Sequence, residues 1–241
     1  MINYFQFNEV KILIGLIIII SVPDVFAQVA KKDTVKTDTL KNKYLPTGVR
    51  IGTDLISIAK SRYQDNFMGW EINGEIDFNR YYLAMDYGNW SRNLNSDSAI
   101  YSNDGKFWRV GIDVNFLKKD PDRNMFFIGG RYGRSTFSEA MKLTSYDPVW
   151  GTLVSNYNNR DVQARWLELT AGIRVKIWKI FWLGYTGRFK FALKTDTTDE
   201  MLPYDIPGFG TTDKGTTYGF NYYAMIRIPI RKDPLASVKK K

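Results

Sequence analysis

The stretch from Trp70 to Phe78 reads WEINGEIDF, and its side chains alternate in character. Trp70, Ile72, Ile76 and Phe78 are apolar. Glu71, Asn73, Glu75 and Asp77 lie between them, and only Gly74 breaks the apolar set. A period of two marks an extended strand, because successive side chains point to opposite faces. After Asn79-Arg80 a second alternating run begins at once. A soluble sandwich would turn the oily faces inward and leave the charged faces wet. A transmembrane barrel would turn the oily faces to lipid and the carboxylates into the lumen.

The pattern recurs along most of the chain. Eight strands are expected, over residues 49–59, 68–78, 81–90, 106–117, 125–137, 162–177, 180–193 and 216–230. Most are about ten residues long or slightly more, the length that crosses a bilayer at a tilt. No segment offers a convincing amphipathic helix. Short connections at 79–80, 118–123 and 178–179 alternate with longer ones at 60–67, 91–105, 138–161 and 194–215. This asymmetry points to an all-β fold, an eight-stranded antiparallel up-and-down transmembrane β-barrel with short periplasmic turns and long extracellular loops. An even strand number places both ends of the barrel on the periplasmic side. A mean hydropathy of −0.32 excludes a bundle of transmembrane helices but not a barrel, whose strands alternate.

The alternation assigns each side chain a face. Trp70, Trp108 and Phe191 would mark the outer aromatic rim, and Phe78, Tyr81, Phe116 and Phe181 the inner one. The lumen would hold Glu71, Glu75, Asp77, Asp86, Asp113 and Glu168 against Arg109, Arg131, Arg174, Arg188, Lys190 and Arg227. An eight-stranded lumen is narrow enough to be filled by side chains, and desolvated charges must pair. A salt-bridged plug is therefore expected, with Arg174 and Arg188 bonded to carboxylates such as Glu168 and Asp113.

No catalytic site, metal site or cofactor is expected. The chain has no cysteine and no histidine, so it cannot reproduce the histidine-containing catalytic sets of outer-membrane acyltransferases, deacylases, phospholipases and proteases. The paired carboxylates Glu71 and Glu75 have no nucleophile motif beside them. The glycines of IGGRYGR, residues 128–134, sit within a strand rather than between a strand and a helix, so they relieve crowding or bend the sheet. TDTTDE, residues 195–200, has oxygen ligands but not the spacing of a calcium loop. Two loops are apolar and aromatic: 141–154, with Tyr146 and Trp150, and 202–210, with Tyr204 and Phe209. Either they form a binding surface or they fold over one another and cap the barrel.

The first 27 residues read as a signal peptide. Lys11 precedes the apolar run 12–20, and Val25-Phe26-Ala27 supplies a small-residue cleavage site. Residues 28–46 form a basic periplasmic tail without sustained periodicity, 47–230 the barrel, and 231–241 a second basic tail. The Ala27-Gln28 junction resembles that of exported proteins of Bacteroidota. So do four short sequons of a glycosylation type used there, at Asp33-Thr34-Val35, Asp38-Thr39-Leu40, Asp97-Ser98-Ala99 and Asp196-Thr197-Thr198. From Leu45 to Pro229 the chain resembles the small outer-membrane β-barrels of that phylum, some of which serve as accessory subunits of the β-barrel assembly machinery or of secretion complexes. The resemblance implies a non-catalytic accessory subunit whose partners are outer-membrane lipid and other outer-membrane or periplasmic proteins, with no nucleic acid. The aromatic loops keep a second possibility open, a surface receptor or adhesin.

Overall fold

The alternating runs are strands in the computed structural model, which describes residues 45–117, 120, 123–196, 201–212 and 215–231. Along the chain come β1 (Gly48–Asp54), α1 (Leu55–Tyr63), β2 (Phe67–Phe78), β3 (Tyr81–Asn95) and β4 (Ala99–Asn115). They are followed by β5 (Met125–Asp147), β6 (Gly151–Trp178), β7 (Phe181–Thr195), β8 (Asp205–Ile206), β9 (Gly210–Thr211) and β10 (Thr216–Pro229). Eight of these strands close a barrel in the order β1-β10-β7-β6-β5-β4-β3-β2, and every pair described is antiparallel. β8 and β9 form a separate two-stranded ribbon. The expected segments 1–44, 118–119, 121–122, 197–200 and 232–241 lie outside the described residues, and with them the signal peptide and most of both tails.

Alternation fixes the faces. Along β2 the even positions from Met68 to Phe78 look outward and the odd positions look inward. The outside carries Ile72, Leu83, Ile112, Ile128, Leu169, Ile173, Phe189 and Ile226, all exposed, and they form an apolar belt. At one end two-residue turns join β2 to β3 and β6 to β7. At Asn79, between β2 and β3, the backbone has φ 66, a left-handed conformation that asparagine tolerates better than most residues.

Three expectations about the elements need correction. The first strand does not run to residue 59, and the expectation of no helix fails there. β1 stops at Asp54, whose carboxylate accepts hydrogen bonds from Ile56 N at 3.3 Å and Ser57 N at 3.1 Å, capping α1. No residue of α1 is buried, so hydrophobic period gives no sign of it. The expected loop 91–105 is mostly strand, with only residues 96–98 outside β3 and β4. The expected loop 138–161 is likewise a ribbon formed by the ends of β5 and β6, which are 23 and 28 residues long. Above the apolar belt these strands mix polar residues with exposed Leu143, Tyr146, Leu153 and Val154, and the strict alternation breaks down. The ladder continues, but the hydrophobic pattern that announced it does not.

Candidate functional site

The lumen is packed with paired charge. Nearest the two-residue turns, Arg227 Nη2 lies 3.0 Å from Asp77 Oδ2, and the other oxygen of Asp77 accepts from Thr47 N and Oγ1 at 2.6 and 2.7 Å. The next level centres on Glu75, which takes Arg174 at 2.9 Å and Arg50 at 3.3 Å. The Arg174 guanidinium also sits 4.8 Å from the Phe127 ring, and that of Arg50 sits 4.3 Å from Trp182. At mid-height Asp86 is shared by Arg109 at 3.2 Å, Arg188 at 3.1 Å and Arg131. Arg131 also bonds Asp113 at 2.8 Å, and Arg188 bonds Glu168 at 2.7 Å. Trp166 Nε1 donates to Glu168 at 2.7 Å, and the Tyr223 hydroxyl donates to Glu71, which also pairs with Arg109.

Small residues make room for this lattice. A Cβ on Gly129 would stand 2.0 Å from Asp113 Oδ1, and one on Gly133 would stand 2.2 Å from the Trp166 ring. Both therefore clear space for lumen side chains, while Gly130 between them faces outward.

At the other end an apolar plug closes the lumen. Residues 201–212 dip into the mouth, where Ile206 and Phe209 join a cluster with Phe107, Phe137, Val162, Ala164 and Trp166. Polar tethers hold the plug. Lys190 Nζ donates to Gly208 O at 2.8 Å and Phe209 O at 2.9 Å, Asn103 donates to Asp205 O at 2.6 Å, and Arg92 lies 2.9 Å from the Asp205 carboxylate. Burial pushes the Asp205 carboxyl up, against the downward pull of Arg92. A cavity of about 290 Å³ lies against the plug, lined in part by Asp54, Glu71, Arg109, Lys190 and Asn221. Among the described residues, no cluster of three or more His, Cys, Asp or Glu side chains is placed to hold a metal.

Beyond the plug the β5–β6 ribbon continues. Its end carries Tyr146, Val149 and Trp150, which are 76%, 80% and 79% exposed. The mouth-facing side of the same sheet and the end of the plug form an open groove of about 590 Å³, lined by Leu94, Tyr101, Met141 and Tyr204 with Asn66 and Asn95 at its border. Tyr101 and Tyr204 meet edge to face at 5.3 Å.

The sequence model of a family described as a domain of unknown function, DUF6048, matches residues 9–233. The chain belongs to that family. No curated protein matches it. Among solved structures, this DUF6048 barrel is similar to Ail, the attachment invasion locus protein of Yersinia pestis, solved with the heparin analogue sucrose octasulfate. The identity is 10% and the TM-score 0.37, over 76% of this chain and 98% of that one. It is also similar to neisserial surface protein A, at 10% identity and a TM-score of 0.32, over 76% of this chain and 94% of that one.

In the DUF6048 barrel eleven of the twelve residues singled out for the lumen are buried, and Arg227 lies part-buried at its end. Arg188 meets Glu168. Arg174 does not meet Glu168 or Asp113, because its strand neighbours Met125 and Gly184 carry no charge and its side chain reaches across to Glu75 on β2. Asp113 is taken by Arg131 instead. Arg50 was overlooked, although it shares inward parity with Gly48 and Gly52 in β1. Among the aromatic loop residues, Tyr146 and Trp150 are exposed and Tyr204 borders the groove. Phe209 is not on the surface: it is 2% exposed and packs 5.8 Å from Trp166. Residues 201–212 thus cap the barrel, held at the base of the β5–β6 ribbon by Asn159 Nδ2 donating to Met201 O at 2.8 Å, while the ribbon's tip stays exposed. Of the four sequons, Asp97-Ser98-Ala99 lies at the β3–β4 turn. Those in the N-terminal tail, and Thr197 and Thr198 of the last, are outside the described residues.

Proposed function

We propose that the chain is a non-catalytic barrel in the outer membrane of a Gram-negative bacterium, acting as a surface receptor or adhesin through the β5–β6 ribbon and the groove at its base. The exposed aromatic tip carries this reading. Tyr146, Val149 and Trp150 are held on a hydrogen-bonded ribbon, and large exposed aromatics on an ordered element are the usual anchors of a binding surface. The membrane part rests on the closed ladder and the apolar belt, since a barrel leaves no strand edge unpaired in lipid. The accessory-subunit reading rests on the resemblance to small outer-membrane barrels and on the basic tails, most of which fall outside the described residues.

The chain has no cysteine, so single-cysteine labelling reports topology cleanly. Val149→Cys should react with a membrane-impermeant maleimide on intact cells, and Lys179→Cys only after permeabilisation. The reverse pattern would overturn the orientation. In mild detergent the barrel should purify alone. A stoichiometric membrane partner that stays bound when Tyr146 and Trp150 are both replaced by Ser would favour the accessory subunit over the receptor.

A further inference from the structure

On the outer wall, just beyond the apolar belt, three cations stand side by side on adjacent strands. Arg134 of β5 is directly opposite Arg165 of β6, and Arg165 is directly opposite Lys194 of β7. Lys106 of β4 is diagonal to Arg134, through its pairing with Thr136. Directly opposite positions on neighbouring strands hold their Cβ atoms about 4.5–5.5 Å apart, and like charges there destabilise a sheet. The protein offsets this only in part. Arg134 Nη2 donates to Gln163 Oε1 at 2.5 Å, and Lys194 lies 3.0 Å from Asp196. That hydrogen bond with Lys194, with the charges of Lys194, Arg165 and Arg134 behind it, holds the Asp196 carboxyl below its usual value. The Arg165 side chain has no hydrogen bond or ion pair among the described residues, and among those residues one carboxylate, Asp196, faces three cations.

The row has a defined height. Trp108 of β4 is directly opposite Arg134 in the same row, Tyr132, Leu167 and Phe191 lie beneath it, and Trp108 and Tyr132 pack with ring centroids 5.6 Å apart. Aromatic girdles sit where acyl chains meet headgroups. A guanidinium pair at that level matches the planar, charge-assisted geometry that binds phosphate. We propose that Arg134, Arg165 and Lys194 form a site for the phosphate of an anionic outer-leaflet lipid, which relieves the cross-strand repulsion and fixes the barrel's depth. This rests on the reading of the belt as lipid-facing.

The test uses the full chain folded into phosphatidylcholine vesicles doped with either phosphorylated or dephosphorylated lipid A. Lipid retained per barrel is read by native mass spectrometry. The parent should prefer the phosphorylated lipid. The double variant R134Q/R165Q should lose that preference by roughly thirtyfold, about fivefold for each cation near the surface. The single variant R165Q should lose about fivefold. An unchanged preference in both variants overturns the site. Free inorganic phosphate, added to the parent in undoped vesicles, should give no adduct. An adduct that R165Q abolishes would show a free-anion site and overturn the lipid assignment. The membrane reading is checked separately, because the parent in undoped vesicles should migrate differently on a gel before and after boiling. Identical migration overturns that reading and this proposal with it.

Discussion

Glu75 is met by two guanidiniums, and that asymmetry orders the cost of breaking its cluster. Glu75→Ala would leave both Arg174 and Arg50 buried without their countercharge, and removing one partner of a buried pair costs about 3–5 kcal/mol. Arg174→Ala leaves Glu75 with Arg50, so its cost should fall at about 3 kcal/mol, the lower end of that range. Urea midpoints of the barrel in vesicles would show the order, and an R174A midpoint equal to the parent's would show that this level of the lattice holds nothing. At this scale the sequence was informative about facing and about the Arg188–Glu168 pair, and misled about the partner of Arg174. Parity along β6 puts Arg174 inside. Its partner depends on how far a long side chain reaches across a narrow lumen, and strand neighbours do not reveal that.

The plug is an element whose stability depends on protonation. Burial raises the Asp205 carboxyl above its ordinary value of 3.8, so the docked plug takes up a proton more readily than the free loop does. This contribution to docking is complete below about pH 3.8 and is lost as pH rises through the docked value. Ile206→Cys, at a buried plug position, should therefore become more reactive to maleimide as pH rises towards neutrality. The rate is taken relative to exposed Val149→Cys, which cancels the thiol's own titration. Adding Asp205→Asn should flatten the ratio, and a ratio independent of pH in the parent would overturn the assignment. The elements also mark the limit of reading by period. The strands were legible wherever one face met the apolar belt. The outer ends of β5 and β6 lost the signal because apolar residues such as Leu153 and Val154 no longer alternate with polar ones there, and α1 never had one, since its start depends on the Asp54 cap.

For the whole molecule, the paired charges that fill the lumen and the plug at its mouth together predict a barrel that does not conduct. Addition of the folded protein to a planar bilayer should produce no conductance steps. Regular steps that persist after protein purification would contradict a filled lumen. Two substitutions at separate levels, Asp77→Ala and Asp113→Ala, should each weaken the barrel and add roughly independently, because the residues that bond Asp77 are not those that bond Asp113. Melting of the single and double variants in vesicles would check this. Closure of the ring was legible from strand count and turn lengths. The mouth was not, because whether an apolar loop turns inward depends on a cavity that forms only after the ring has closed.

The seam between β1 and β10 has bonds that skip a strand. Arg227 of β10 reaches Asp77 of β2 at 3.0 Å, the Tyr223 hydroxyl reaches Glu71 of β2, and Asn221 donates to Glu71 at 3.3 Å. Most of these groups would be unpaired charges or buried polar atoms in any intermediate that had inserted β1 and β2 without the last strand. Such an intermediate is costly in lipid, where a lone ionised side chain at mid-depth carries a penalty of about 2.5–3.5 kcal/mol even on the mildest scale. Biogenesis should then proceed as a single commitment: the first and last hairpins wait at the membrane surface until the C-terminal strand arrives, and ring and zipper lock in one step.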